Sequence, residues 1–220
     1  MNRLLPVSFA LAAAIGAALP AAAADNGFYV LGSAGLTDTG GRKAQADATI
    51  VNAGMTAFTS SADEKDRGYK AQIGYRFNRN FAVEGGYMDL GRYTYHADGT
   101  APITATRDGK GPMDALNVVA VGSLPLTEQF SLIGKLGVAA QRMRFHCEGT
   151  GIACSNPDRT SHGTSLQYGA GVEWAFTPNW FVRGEYEVVQ KIGDSFNANG
   201  TTGTSRADLK MGSVGVGYRF

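Results

Sequence analysis

The chain has almost no charge to spare, little cysteine and, beyond its first residues, no long apolar run. Its 20 lysines and arginines against 19 aspartates and glutamates leave a formal charge of +1. That balance excludes the basic excess by which nucleic-acid-binding proteins reach phosphate backbones. No phosphate-binding loop, zinc-type cysteine pairing or nucleic-acid module occurs. Gly212-x-x-Gly215-x-Gly217 is rich in glycine, but no helix follows it, so it is not a nucleotide cradle. Only Cys147 and Cys154 are present, close together in a polar segment. In an oxidising compartment their plain reading is a disulfide closing a short loop, worth at most about 2 to 3 kcal/mol. A metal site would need more ligands than the adjacent His146 and Glu148, and neither metal nor cofactor is expected. Nothing after residue 24 resembles a spanning helix, so any membrane insertion must use strands, which span a bilayer only as a closed barrel.

What is present at the amino terminus is an address. Asn2 and Arg3 form a short positive start, Leu4 to Leu19 is an apolar run broken by Pro6, and Ala22-Ala23-Ala24 before Asp25 supplies a small-residue cleavage site. Residues 1–24 therefore read as a removed secretory signal and residues 25–220 as one domain. A retained anchor would need roughly 20 apolar residues, more than this run offers. Loss of the leader takes Arg3 with it, which brings the 20 basic residues down by one to match the 19 acidic ones. The 30 glycines disfavour long helices and suit tight turns and a crowded interior.

The mature chain reads as eight strands of alternating character. They are Gly27 to Thr37, Arg67 to Asn78, Phe81 to Tyr87, Asp114 to Leu124, a strand from Phe130, one from Leu166 to Phe176, one from Trp180, and the closing strand to Phe220. Three short turns fall near residues 79, 128 and 178, and four longer polar loops near 38–66, 96–112, 147–163 and 193–205. An even count with short turns on the side of both termini is the pattern of an all-β, eight-stranded antiparallel up-and-down transmembrane barrel with long extracellular loops. Phe77, Phe81, Phe130, Phe176, Trp180, Tyr218 and Phe220 flank the short turns and are expected to form one aromatic ring at the periplasmic interface. The strand at 114–124 is apolar on both faces, with Leu116, Val118 and Ala120 opposed to Val119 and Val121, so alternation leaves its orientation open.

Alternation alone also fits a soluble lipocalin-type barrel turned the other way. The polar face decides between them. A water-facing surface carries dense Lys and Glu, whereas here it is mostly Gly, Ala, Ser and Gln, which suit a narrow eight-stranded interior. Arg76, Glu84, Lys135, Glu173, Arg183 and Glu185, with Lys70 and Arg219 as further candidates, then point into the lumen and should pair across it. Such pairs either fill and stiffen the interior, the preferred reading, or gate a narrow pore.

The closing residues carry a resemblance. Ser213-x-Gly215-x-x-Tyr218-x-Phe220 looks like the carboxy-terminal assembly signal of outer-membrane barrels, with Ser213, Gly215, Tyr218 and Phe220 as its signal positions. Together with Gly27-Phe28-Tyr29-Val30, Tyr75-Arg76-Phe77, the run from Phe81 to Tyr87 leading to Leu90-Gly91, and Gly217-Tyr218-Arg219-Phe220, it makes residues 25–220 resemble the OmpA-like barrels, including the opacity-type porin-like surface proteins. The resemblance implies a monomeric outer-membrane protein among outer-membrane lipids and lipopolysaccharide, inserted by the outer-membrane assembly machinery. Its role would be structural or surface-interacting, with a host or surface ligand met by the loops and at most a narrow charge-gated pore. The chain ends at the barrel, so no peptidoglycan-binding domain is expected.

Two other readings stay in play. A small nonspecific porin is one. The other is a lipid A-modifying enzyme of deacylase type, which would need a serine nucleophile beside a histidine base. The histidines are His96, His146 and His162. Ser161 and Ser165 flank His162, but its same-face neighbours two positions away are Thr160 and Thr164. No enzyme is expected, and no catalytic residue is assigned.

Overall fold

The computed structural model describes residues 26–52, 54–151, 158–198 and 201–220. The leader expected at 1–24 and Cys154 lie outside them. Strands β1 (Gly27–Asp38), β3 (Lys65–Arg76), β4 (Phe81–Ala101), β5 (Ala105–Pro125), β6 (Phe130–Thr150), β7 (Asp158–Ala175), β8 (Trp180–Ala198) and β9 (Thr201–Arg219) pair in antiparallel sequence order. Both β1–β9 and β4–β5 are paired, so the sheet closes as an eight-staved barrel with no strand edge left open at the level of its inner halves. No helix among the described residues is long and apolar enough to cross a membrane.

Alternation sorts side chains by phase. Leu116 and Leu136 are 63% and 58% exposed, while their neighbours Asn117 and Lys135 are buried. A belt of Val, Leu, Ile, Tyr, Trp and Phe of this size is unstable in water and stable against acyl chains. The ambiguous strand β5 turns Leu116 and Val118 outward and Val119 and Val121 into the lumen. Tyr75 and Tyr186 lie on the outer face, and Glu84 and Arg183 lie inside. At the end with the short turns, aromatic rings touch in series. Phe28, Tyr75 and Phe77 are 4.8 and 5.1 Å apart, Phe130, Trp174 and Phe176 are 6.0 and 5.8 Å apart, and Trp180, Tyr218 and Phe220 are 5.0 and 5.2 Å apart.

Above the belt the structure corrects the sequence reading. Residues 38–66 are not one loop: they hold helix α1 (Arg42–Asn52) and strand β2 (Ala57–Asp63). β2 pairs with the outer half of β4 and β3 with its inner half, so the two form one stave broken at Glu64. The segments read as loops at 96–112, 147–163 and 193–205 are largely hairpin arms of β4 to β9. They were hidden because an arm above the membrane meets water outside, and outward Thr, Asp and His erase the apolar alternation while the backbone pairing persists. The barrel bends at this level. Bulges fall between Asp89 and Arg92 and between Val189 and Ile192. Gly91 sits in the first with φ +80°, where a Cβ would lie 2.8 Å from Asp66.

Helix α1 begins where the Glu64 carboxylate accepts a hydrogen bond from the Lys43 N–H at 2.8 Å. It ends at Gly54, φ +94°, with Met55 N–H donating back to Ile50 C=O. That turn drops Ile50 and Met55 into the barrel, where they join Met88, Leu90, Met113, Leu209 and Met211 in an apolar plug.

Candidate functional site: the charged lumen

Beneath the apolar plug the lumen changes character. Arg183 on β8 is 1% exposed and lies at its centre. Its guanidinium donates to Glu84 on β4, to Glu173 Oε2 on β7 at 2.6 Å and to Glu185 at 3.4 Å. Lys135 on β6 holds Glu84 at 2.7 Å and Glu185 at 2.5 Å. Lys70 on β3 bonds Glu185 at 2.6 Å and also Glu187. Nearer the short turns, Arg76 and Arg219 both donate to Glu173 Oε1, at 3.0 and 2.5 Å. The carboxylates are thus paired several times over, the condition under which buried charges survive in low dielectric.

Two aromatic rings set the geometry. Tyr29 Oη donates to Glu84 Oε1 at 2.5 Å, and its ring lies 5.6 Å from the Arg183 guanidinium. Phe181 lies under Arg183 at 5.2 Å and Arg219 at 4.8 Å. Glycines opposite make room for both: a Cβ at Gly74 would lie 2.2 Å from Tyr29, and one at Gly217 would lie 2.1 Å from Phe181. Above the charges, Asn117 donates to Gln167 at 3.1 Å and Gln167 to Glu187 at 3.1 Å, linking the ionic layer to the apolar one.

Arg76, Glu84, Lys135, Glu173, Arg183 and Glu185 therefore meet in one network with Lys70 and Arg219. Sequence reasoning left out Glu187 and Tyr29. Glu187 shares its phase with Arg183 and Glu185, so the signal was present. Tyr29 gave none, because β1 carries bulky residues on both faces.

The other candidate residues lie elsewhere. Ser213 is buried in the lumen wall, a Cβ at Gly215 would lie 2.2 Å from Ser33, Tyr218 belongs to the aromatic ring, and the Phe220 N–H donates to Phe28 C=O at 3.0 Å. Cys147 is buried in β6. His162 points outward, opposite Arg142, whereas Ser165 is buried in the lumen and Ser161 shares its phase, so neither serine lies on the face of the histidine.

A closed strand barrel with a lipid-facing belt and an ion-paired centre is an integral membrane barrel. Residues 9–220 match the family model described as an outer membrane protein beta-barrel domain, and the chain belongs to that family in the outer membrane. It is 33% identical over 207 residues to outer membrane protein A of Yersinia pseudotuberculosis serotype I (strain IP32953), covering 91% of this chain and 50% of that protein. It is 32% identical over 203 residues to outer membrane protein A of Klebsiella aerogenes, with the same coverage. The chain thus spans half the length of these two relatives, which are named as outer membrane proteins rather than enzymes. Neisserial surface protein A shares 16% identity over 88% of this chain and 97% of its own, with a TM-score of 0.49, too distant to add to what the closed sheet shows.

Proposed function

We propose that this OmpA-like barrel is a structural and surface-interacting protein whose lumen is closed at rest by two layers, the ion-paired centre and the apolar plug under α1. The observation that carries this reading is Arg183, wholly buried and bonded to Glu84, Glu173 and Glu185 at once. Opening a water path requires those pairs to exchange and the plug to move, so any conduction is rare and charge-gated. The nonspecific porin reading requires an open channel that the filled lumen does not support. Catalysis on lipid A is likewise not proposed, because His162 and its flanking serines occupy opposite faces of β7.

Lipid and lipopolysaccharide contact would fall on the apolar belt, and a host or surface ligand on the hairpin arms above it. The reading includes a cleaved leader at 1–24, a Cys147–Cys154 disulfide, a monomeric state, an opacity-type relationship, and insertion by the assembly machinery through Ser213, Gly215, Tyr218 and Phe220. Planar bilayers test the central claim. The wild-type protein should be silent or show only brief events, and Glu84→Gln or Arg76→Gln should alter their frequency. Sustained wild-type conductance insensitive to both changes overturns it.

A further inference from the structure

The ion-paired lumen does not balance. Five cations, Lys70, Arg76, Lys135, Arg183 and Arg219, face four carboxylates, Glu84, Glu173, Glu185 and Glu187. Lys70, Lys135 and Arg183 surround Glu84, Glu185 and Glu187, which is one carboxylate per cation. Arg76 and Arg219 are left with Glu173 alone, and Arg183 also claims its second oxygen. The surplus positive charge therefore lies at the end with the short turns.

That end is a vestibule of about 560 Å³, lined among others by Tyr29, Arg76, Gln129, Glu173, Asn179 and Arg219. The Arg76 and Arg219 side chains are 20% and 22% exposed. Each guanidinium carries five N–H donors, yet each gives only one nitrogen to Glu173, and Arg219 Nε is buried with no hydrogen-bond partner. Among the described residues neither arginine makes another ion pair. Glu128 and Arg79, which also line the vestibule, sit on exposed turns where water screens them. A half-buried excess charge with unused donors is relieved most readily by a mobile anion, and guanidinium forks fit oxyanions in particular.

We infer that the periplasmic mouth is an oxyanion-binding site in which Arg76 and Arg219 together hold a small phosphate- or carboxylate-bearing solute. The site does not depend on whether the lumen conducts, so a conducting barrel and an empty vestibule are separate findings.

The experiment is an NMR titration of the folded protein in uncharged micelles with inorganic phosphate and, separately, acetate, at constant ionic strength made up with chloride. The side-chain Nε–H signals of Arg76 and Arg219 should shift and saturate in the millimolar range, with chloride alone giving no saturation. Arg76→Gln should weaken the binding about tenfold or more, equivalent to losing one charge-assisted contact. Arg219→Gln should do the same, and if that change in the closing strand prevents folding, Asn179→Ala on the vestibule wall provides a milder second variant with a smaller loss. Saturation by phosphate alone or acetate alone keeps the site and identifies its ligand class. Shifts that rise linearly without saturating, or binding unchanged in Arg76→Gln, overturn it.

Discussion

Arg183 and Glu84 are 99 positions apart in the chain and meet in the middle of the lumen, with side chains 1% and 0% exposed. Arg183→Ala removes the cation that Glu84, Glu173 and Glu185 share and leaves Lys135 as the one remaining cation beside the buried Glu84 among the described residues. The expected cost is about 3 to 5 kcal/mol. Replacing both members together by apolar residues of similar volume should cost less than the sum of the single changes, because neither member is then left buried without the other. Urea unfolding of the protein in lipid vesicles, run as a double-mutant cycle, measures both quantities. Additive single and double variants would show that the pair does not act as a unit.

The sequence placed strands wherever lipid forces an alternation, and it failed where water lies outside the wall. In β4 the phase of Phe81, Val83 and Tyr87 against Glu84 is visible, whereas beyond Gly91 the outward residues become Thr94, His96 and Asp98 and the pattern fades although the strand continues to Ala101. Helix α1 was hidden for a different reason. Its alanines, Ala44, Ala46 and Ala48, favour helix, but only Arg42 and Ile50 are buried, so no apolar stripe marks it. In the lumen, Arg183 and Glu185 stood out against Gly and Ala. Tyr29 did not, because both faces of β1 carry bulky residues at that end.

Tyr29 and Gly74 share one space, and that yields a steric prediction. Gly74→Ala puts a methyl group into the Tyr29 ring and must move it, which weakens the hydrogen bond to Glu84. The expected loss is about 1 to 3 kcal/mol, the usual range for overpacking. The variant Gly74→Ala/Tyr29→Leu should recover part of it, since the ring that clashes is gone. Thermal unfolding of both proteins in the same micelle decides; no recovery in the pair would mean the strain lies elsewhere.

His96 and His146 give a pH prediction for the hairpin arms. His96 contacts Asp108 at 2.8 Å and Asp98 at 3.0 Å, and His146 contacts Asp158 at 2.6 Å and Glu148 at 3.0 Å. Hydrogen bonds to these carboxylates hold both imidazoles above the ordinary histidine pKa. A raised folded-state pKa means that the stabilisation is complete below the unfolded histidine value and is lost as pH rises through the folded one. Each ring clamps two strands, β4 to β5 and β6 to β7. Amide exchange near His96 and His146 should therefore be better protected on the acidic side than alkaline solution predicts from intrinsic rates alone, and His96→Gln should abolish the difference around its own hairpin only. Equal protection at both pH values would assign the arms to backbone pairing alone.

The last expectation concerns the two closures of the lumen. Ile50 and Met55 enter the barrel from above, while Arg183 and its carboxylates fill it below, with Asn117 and Gln167 between them. Barriers in series do not add like parallel leaks: a path exists only when both are open. Ile50→Asp puts a charge where an apolar side chain was buried and should expel α1 from the mouth. It should nevertheless leave planar bilayers quiet, because the ionic layer remains shut. Glu84→Gln alone loosens the lower layer beneath an intact plug and should give only rare events. The double variant should conduct steadily, by more than the two single effects combined. If Ile50→Asp conducts by itself, the ionic layer is not a barrier to small ions, and the plug under α1 is the closure that matters.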